Sequence, residues 1–166
     1  MTIDYHRLWQ RVIGLFPCHS SSIHGPSHWR RVERNGLWLS SRTAADVTVV
    51  RLFALFHDSR RENDGTDDGH GARGAARGAE LRGVLFELPD DAFDLLSHAC
   101  RGHTDELQST DPTIGTCWDA DRLDLGRVGI PPSAKYLSTE PAREIARRGR
   151  VDRFLAECES GEPRSP

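Results

Sequence analysis

Residues 47–56, VTVVRLFALF, are apolar on nearly every side, and such a stretch is stable only where neighbouring elements cover it all round. Its β-branched content would also permit a strand, but with residues 44–46 in front its length favours a central helix. A covered helix needs other helices around it, and the remaining periodicity supplies them. Residues 4–16 set Leu8, Trp9, Val12, Ile13, Leu15 and Phe16 on one broad face before Pro17 ends the pattern. Gly25-Pro26-Ser27 opens a second helix, continued by Trp29, Val32, Leu37 and Leu39, and Pro26 suits a first turn, where its missing N–H costs nothing. Residues 72–86 are rich in small side chains, among them Ala72, Gly74, Ala75 and Gly78, which permit close helix packing or close approach of a ligand, and Pro89 ends that helix. Residues 90–103 repeat Phe93, Leu95, Leu96 and Ala99 behind a capping carboxylate. Residues 116–128 form a short helix with an acidic motif, and 140–159 a last amphipathic one carrying Ile145, Val151, Phe154 and Leu155. Residues 59–69, 104–115 and 129–133 read as loops, and no alternating pattern is strong enough to build a sheet. The expected fold is all-α, a single-domain bundle of about six to seven helices over residues 1–160, with 161–166 a frayed tail.

Composition narrows the function. A net charge of -3 on 166 residues leaves no basic stripe for nucleic acid. Positive charge is almost entirely arginine, Lys135 being the only lysine; arginine suits bidentate phosphate contacts, and genomic base composition explains the bias equally well. Cys18, Cys100, Cys117 and Cys158 form no CxxC pair, and the opening MTIDYHRLWQRV is amphipathic and charged, unlike a signal peptide. No run approaches the roughly 18–20 apolar residues that cross a bilayer. The expectation is a soluble cytoplasmic protein with free thiols and no nucleic-acid or membrane partner.

The apolar block ends at His57-Asp58, where a buried helix meets the polar loop SRRENDGTDDG. His28 lies upstream in HGPSHWRRV and Asp121 downstream in DADRLDLGRVGI, on other helices. Two imidazoles and two carboxylates make a mixed nitrogen and oxygen site suited to Mn, Fe, Co, Ni or Zn, formed only once the bundle folds. Neighbours on a helix point about 100° apart, so His57 and Asp58 reach one ion together only if the break at Ser59 adjusts the backbone. Asp121 and Asp124 share a helical face, which makes Asp121 the ligand candidate and Asp124 a residue that orients a ligand or binds arginine. Asp119 reads as solvated or as a cap. His24 has the spacing of a further ligand, but Gly25-Pro26 separates it from a helical face shared with His28. Cys100-x-x-His103 with Cys117 lacks the fourth ligand of a zinc knot, so these thiols read as buried and free.

The order and spacing of His28, His57-Asp58 and Asp121, with their flanks HGPSHWRRV and DADRLDLGRVGI, resemble the HD superfamily of metal-dependent phosphohydrolases, in its small single-domain bacterial form, over about residues 20–130. The resemblance implies an all-helical fold, a divalent metal, Mg included, held by His28, His57, Asp58 and Asp121, and metal-activated water cleaving a phosphate ester or anhydride of a small metabolite such as a nucleotide. Some members add histidines before the last aspartate and hold two metals; His70 and His103 stand there as ligands to a second metal or to phosphate, ahead of His98. Asp58, Glu62 and Asp124 are the candidate catalytic residues, with Asp64 beside Glu62 in the loop. Glu62 follows the HD pair at longer spacing than in the nucleotidase and alarmone-hydrolase branches. Arg61 and Arg122, with Arg60, are the candidate phosphate clamps. A metal-containing sensor that binds a phosphorylated ligand without turning it over is the alternative, and a di-iron oxygenase on the same scaffold ranks below both.

Overall fold

Among residues 3–19 and 21–160, which the computed structural model describes, the chain forms eight α-helices and no strand. They are α1 (Tyr5–Gly14), α2 (Pro26–Ser40), α3 (Val47–Phe56), α4 (His70–Leu81), α5 (Asp90–Gly102), α6 (Pro112–Arg122), α7 (Glu140–Arg147) and α8 (Val151–Ser160). Asp46 starts α3 by accepting from the backbone N–H groups of Thr48 and Val49, and Val49, Val50 and every residue from Leu52 to Phe56 are buried. Helices α1, α2, α4, α5 and α6 pack on it. No helix among the described residues is long and apolar enough to cross a membrane.

The stripe of small residues in α4 serves helix packing. A Cβ at Gly74 would collide with the Phe56 carbonyl oxygen and stand 2.8 Å from that of His57, and one at Gly71 would collide with the Cys100 carbonyl oxygen. These glycines let the first turns of α4 lie directly against the last turns of α3 and α5.

Several boundaries differ from the periodicity. Helix α4 ends at Leu81 because the chain turns at Gly83, φ 77°, and Arg82 and Phe86 form an isolated bridge. Helix α6 starts at Pro112, since Asp111 accepts from Thr113 and Ile114 N–H and proline occupies the first turn; it ends at Arg122, followed by a 3-10 turn over Leu125–Val128. The single last helix is two, α7 and α8, broken where Gly149 adopts φ 59°. The expected tail, residues 161–166, lies outside the described residues.

Candidate metal centre

Five helix ends meet at one pole of the bundle. His28 stands in the first turn of α2, His57 caps the C-terminus of α3 with Asp58 next, His70 opens α4, His103 caps α5, and Asp121 sits in the last turn of α6. His28, His57, Asp58, His70 and His103 are all buried.

Each imidazole has its Nδ1 hydrogen committed elsewhere. His28 Nδ1 donates to Asp124 Oδ2 at 2.7 Å, His57 Nδ1 to the Phe53 carbonyl at 3.1 Å, His70 Nδ1 to the Asp67 carbonyl at 2.6 Å, and His103 Nδ1 to the Cys100 carbonyl at 2.7 Å. This assignment leaves an Nε2 lone pair on every ring. Those lone pairs face one another in two couples: His28 and His57 Nε2 are 3.2 Å apart, and His70 and His103 Nε2 are 3.0 Å apart. Asp58 spans both. Its Oδ2 lies 3.7 and 3.6 Å from the His28 and His57 Nε2 atoms, and its Oδ1 lies 3.3 and 3.7 Å from those of His70 and His103. Asp121 Oδ1 closes the first group, 3.2 Å from His28 Nε2 and 3.9 Å from His57 Nε2.

Facing lone pairs repel, and a buried carboxylate oxygen without a donor is costly, yet Asp58 Oδ1 is buried and accepts no hydrogen bond. Cations relieve both problems. Ligand atoms about 2.1 Å from one ion lie about 3.0–3.4 Å from each other in octahedral or tetrahedral arrangement, close to the spacings here. The donors fit one divalent ion among His28, His57, Asp58 and Asp121, and a second among Asp58, His70 and His103.

The protonation pattern agrees. Burial pushes the His57 imidazole down to about 3 and lowers that of His70, so both are neutral lone-pair donors. Burial also opposes charge on His28 and His103, but Asp121 and Asp124 outweigh it at His28, and Asp58 outweighs it at His103, so both are raised. Asp58 is buried and Asp121 half-buried, yet the surrounding imidazoles hold both carboxyls well below the ordinary range. In each couple one imidazole is thus pushed toward the neutral form and the other toward the charged form, so the surrounding carboxylates favour positive charge at the place where a cation would sit.

His57 keeps helical backbone angles, φ -51° and ψ -44°, and its ring stacks on Phe53 at 4.9 Å. The ring reaches back along α3, while the turn in which Ser59 N–H bonds the Phe56 carbonyl sends the Asp58 side chain across the pole. The local break that the dipeptide needs is this turn.

Asp124 stands behind His28 and reaches none of the facing Nε2 groups except through it. Its Oδ1 accepts from Arg31 Nε at 2.8 Å, and Arg127 Nη1 lies 3.7 Å from its Oδ2. It is placed to fix the His28 tautomer rather than to touch reacting atoms. Glu62 is not brought to the site: its side chain is 67% exposed and paired with Arg73 at 3.7 Å, while its N–H bonds Asp67 Oδ2. The loop is closely tied, with Arg73 holding Asp67 and the carbonyls of Asp68 and Arg60, and Arg61 holding those of Asn63 and Gly65. Asp64 is drawn to Ser22 instead.

Of the arginines, Arg61 is buried with Nη1 facing the second group, 3.1 Å from His70 Nε2 and 3.7 Å from Asp58 Oδ1. Arg60 pairs with Glu80 outside it. Arg122 is not a free clamp, because its guanidinium donates to the carbonyls of His103, Glu106, Leu107 and Tyr136. Asp119 is buried rather than solvated and caps no helix; it holds the chain entering α7 from across the bundle, accepting from Ser138 N–H, Thr139 N–H and Thr139 Oγ1, each at 2.7 Å. His98 pairs at the surface with Glu106. Cys100 and Cys117 are buried, and burial pushes both thiols up.

His24 is the residue that the Gly25-Pro26 break set aside and the fold brings back. It lies outside α2, yet the turn through Gly25 returns its Nδ1 to 2.9 Å from Asp58 Oδ2, with the ring partly open to solvent. Four-residue separation from His28 was the available signal; the Gly25-Pro26 break changed how His24 arrives, not where.

No protein-family model and no curated protein matches the chain. Among solved structures, the chain is similar to the crystal structure of a predicted HD superfamily hydrolase from an uncultured Thermotogales bacterium, with 28% identity over 91% of each chain and a TM-score of 0.66. With that fold along nearly its whole length, and with His28, His57-Asp58 and Asp121 gathered at one pole, the chain has the HD-domain fold of that predicted hydrolase.

Proposed function

We propose that the chain is a metal-dependent hydrolase of the HD type that cleaves a phosphate ester or anhydride of a small metabolite. The observation that carries this reading is the pair of facing imidazole couples joined by Asp58, whose Oδ1 is buried without a donor. His28, His57, Asp58 and Asp121 would hold one ion, and Asp58, His70 and His103 a second. When bound, such ions lower the pKa of water toward about 7 and offset charge on phosphoryl oxygens.

The remaining tasks fall to the chain's own groups. Asp124, held by Arg31, keeps the His28 hydrogen on Nδ1 so that Nε2 stays a ligand. Arg61 Nη1 is a buried cation beside the second group, where it would meet a phosphate oxygen. His24, on Asp58 and partly exposed, takes the role of proton carrier to the leaving group that the sequence offered to Glu62. The similar Thermotogales protein, a predicted HD superfamily hydrolase, supports hydrolysis as the reaction class.

The test is metal content together with phosphate release from a panel of phosphate esters and nucleotides by metal-loaded protein. Release that disappears in His57→Ala and Asp121→Ala supports the proposal. Ligand-induced stabilisation without product would favour the sensor, and oxygen consumption by an iron-loaded form the oxygenase; either without phosphate release would sink it.

A further inference from the structure

A cavity of about 740 Å³ opens where α7 and α8 meet the C-terminal end of α2, a size within the roughly 300–1,000 Å³ of small-molecule sites. Trp38 of α2, Pro141 and Ile145 of α7 and Phe154 of α8 form its apolar part, and Trp38 and Phe154 meet edge to face with ring centroids 4.8 Å apart. The metal centre is elsewhere: His28 stands in the first turn of α2 and Trp38 in its last, about 15 Å along the helix.

The charged part of the lining is unbalanced. Its carboxylates are all engaged, Glu140 by Arg147 at 2.6 Å, Glu144 by Arg148, and Glu157 by Arg153 at 3.0 Å. Arg42 and Arg150, which also line the cavity, have no acidic partner among the described residues. Arg42 is held in place nonetheless. Its guanidinium carbon lies 3.6 Å from the Trp38 ring centroid, and its Nη1 donates to the Trp38 carbonyl at 3.2 Å and to Ser41 Oγ at 2.7 Å. Its Nε and Nη2 find no acceptor among the described residues. Arg150 is half-buried, and its guanidinium meets no carboxylate, carbonyl or ring among the described residues.

A half-buried guanidinium gives up hydration that only an acceptor replaces, and arginine holds carboxylate and phosphate through paired N–H groups. A guanidinium already fixed, as Arg42 is, loses little freedom on binding. An inorganic anion would satisfy the arginines and leave the apolar wall bare, and a neutral apolar molecule would do the reverse. A molecule with both parts satisfies both.

We propose that this cavity is a second ligand site, separate from the metal centre, for an organic anion. Its carboxylate or phosphate group is held by Arg42 and Arg150, and its apolar body sits on Trp38, Pro141 and Ile145.

The experiment is calorimetric titration of the full chain, loaded with manganese(II), with 2-naphthoate and 2-naphthylphosphonate. The controls are 2-naphthamide, which keeps the body and lacks the charge, and acetate, which does the opposite. At least one naphthyl anion should bind about tenfold tighter or more than either control. Arg42→Gln and Arg150→Gln should each weaken that anion about tenfold or more, leaving manganese(II) affinity and any phosphate release within about twofold. Both side chains lie at the surface outside every ion pair described, so the fold survives their replacement. No binding of either anion at millimolar concentration overturns the proposal, as does equal binding of the naphthyl anions and 2-naphthamide. Binding that neither variant weakens overturns it too, because the anion would then sit elsewhere, the metal centre included. A dimer that excludes both anions and that either variant splits also overturns it, since a second copy of the chain would then fill the cavity.

Discussion

Replacing Asp124 by Asn should weaken one metal ion and spare the other. Asp124 Oδ2 accepts from His28 Nδ1 at 2.7 Å and Oδ1 from Arg31 at 2.8 Å, so the ring of His28 is held by a charged acceptor that is itself held. The amide keeps the shape and loses the charge. Losing such an outer-shell partner costs about 10–100-fold in metal affinity, which is about 1.4–2.8 kcal/mol. The second group has its own anchors, the carbonyls of Asp67 and Cys100 that fix His70 and His103, and Asp124 reaches neither. Calorimetric titration of metal-free protein with manganese(II) should show two events, with only the event assigned to His28 weakened. Arg31→Ala, acting only through Asp124, should have a smaller effect in the same direction. Equal weakening of both events, or unchanged affinity with intact folding, would refute the reasoning.

The metal-free protein should be most stable between two pH limits. His57 is held down to about 3 against about 6.5 unfolded, so its contribution is complete above pH 6.5 and falls away by about 5 kcal/mol at most as pH drops toward 3. His28 and His103 are raised, so their contribution is complete below pH 6.5 and fades as pH climbs through their folded values; thermal melts from pH 4 to 9 should show both limbs, and metal should remove the alkaline one. Gly74→Ala drives a methyl into the Phe56 and His57 carbonyls and should cost about 2 kcal/mol or more by urea unfolding, weakening the second ion most because α4 carries His70. Arg122→Ala removes a charged donor from four carbonyls and should destabilise by about 2–4 kcal/mol in the same assay. Glu62→Gln should leave phosphate release within about twofold of the unaltered rate, since this residue lies on the surface with Arg73; loss of activity would return it to the catalytic set.

The sequence by itself determined the helical bundle, because residues 47–56 are apolar on nearly every side, so most of that stretch has to be covered, and the flanking periods are helical. It also determined the order His28, His57-Asp58, Asp121, since donor chemistry is written in residue type, and it placed His70 and His103 among the candidates. Helix boundaries slipped where backbone chemistry outranked apolar period, at Gly83, at Asp111-Pro112 and at Gly149. Only tertiary structure separated roles among identical residue types. Asp58, Asp119, Asp121 and Asp124 are the same side chain, yet one spans two imidazole couples, one holds the segment entering α7, one closes the first group and one stands behind His28. Arg61 and Arg122 looked alike as clamps until the fold turned one toward His70 and spent the other on four carbonyls. Glu62 and His24 exchanged places for the same reason. A carboxylate, guanidinium or imidazole acts through the few atoms within about 3–4 Å of it, and here those atoms are far away along the chain.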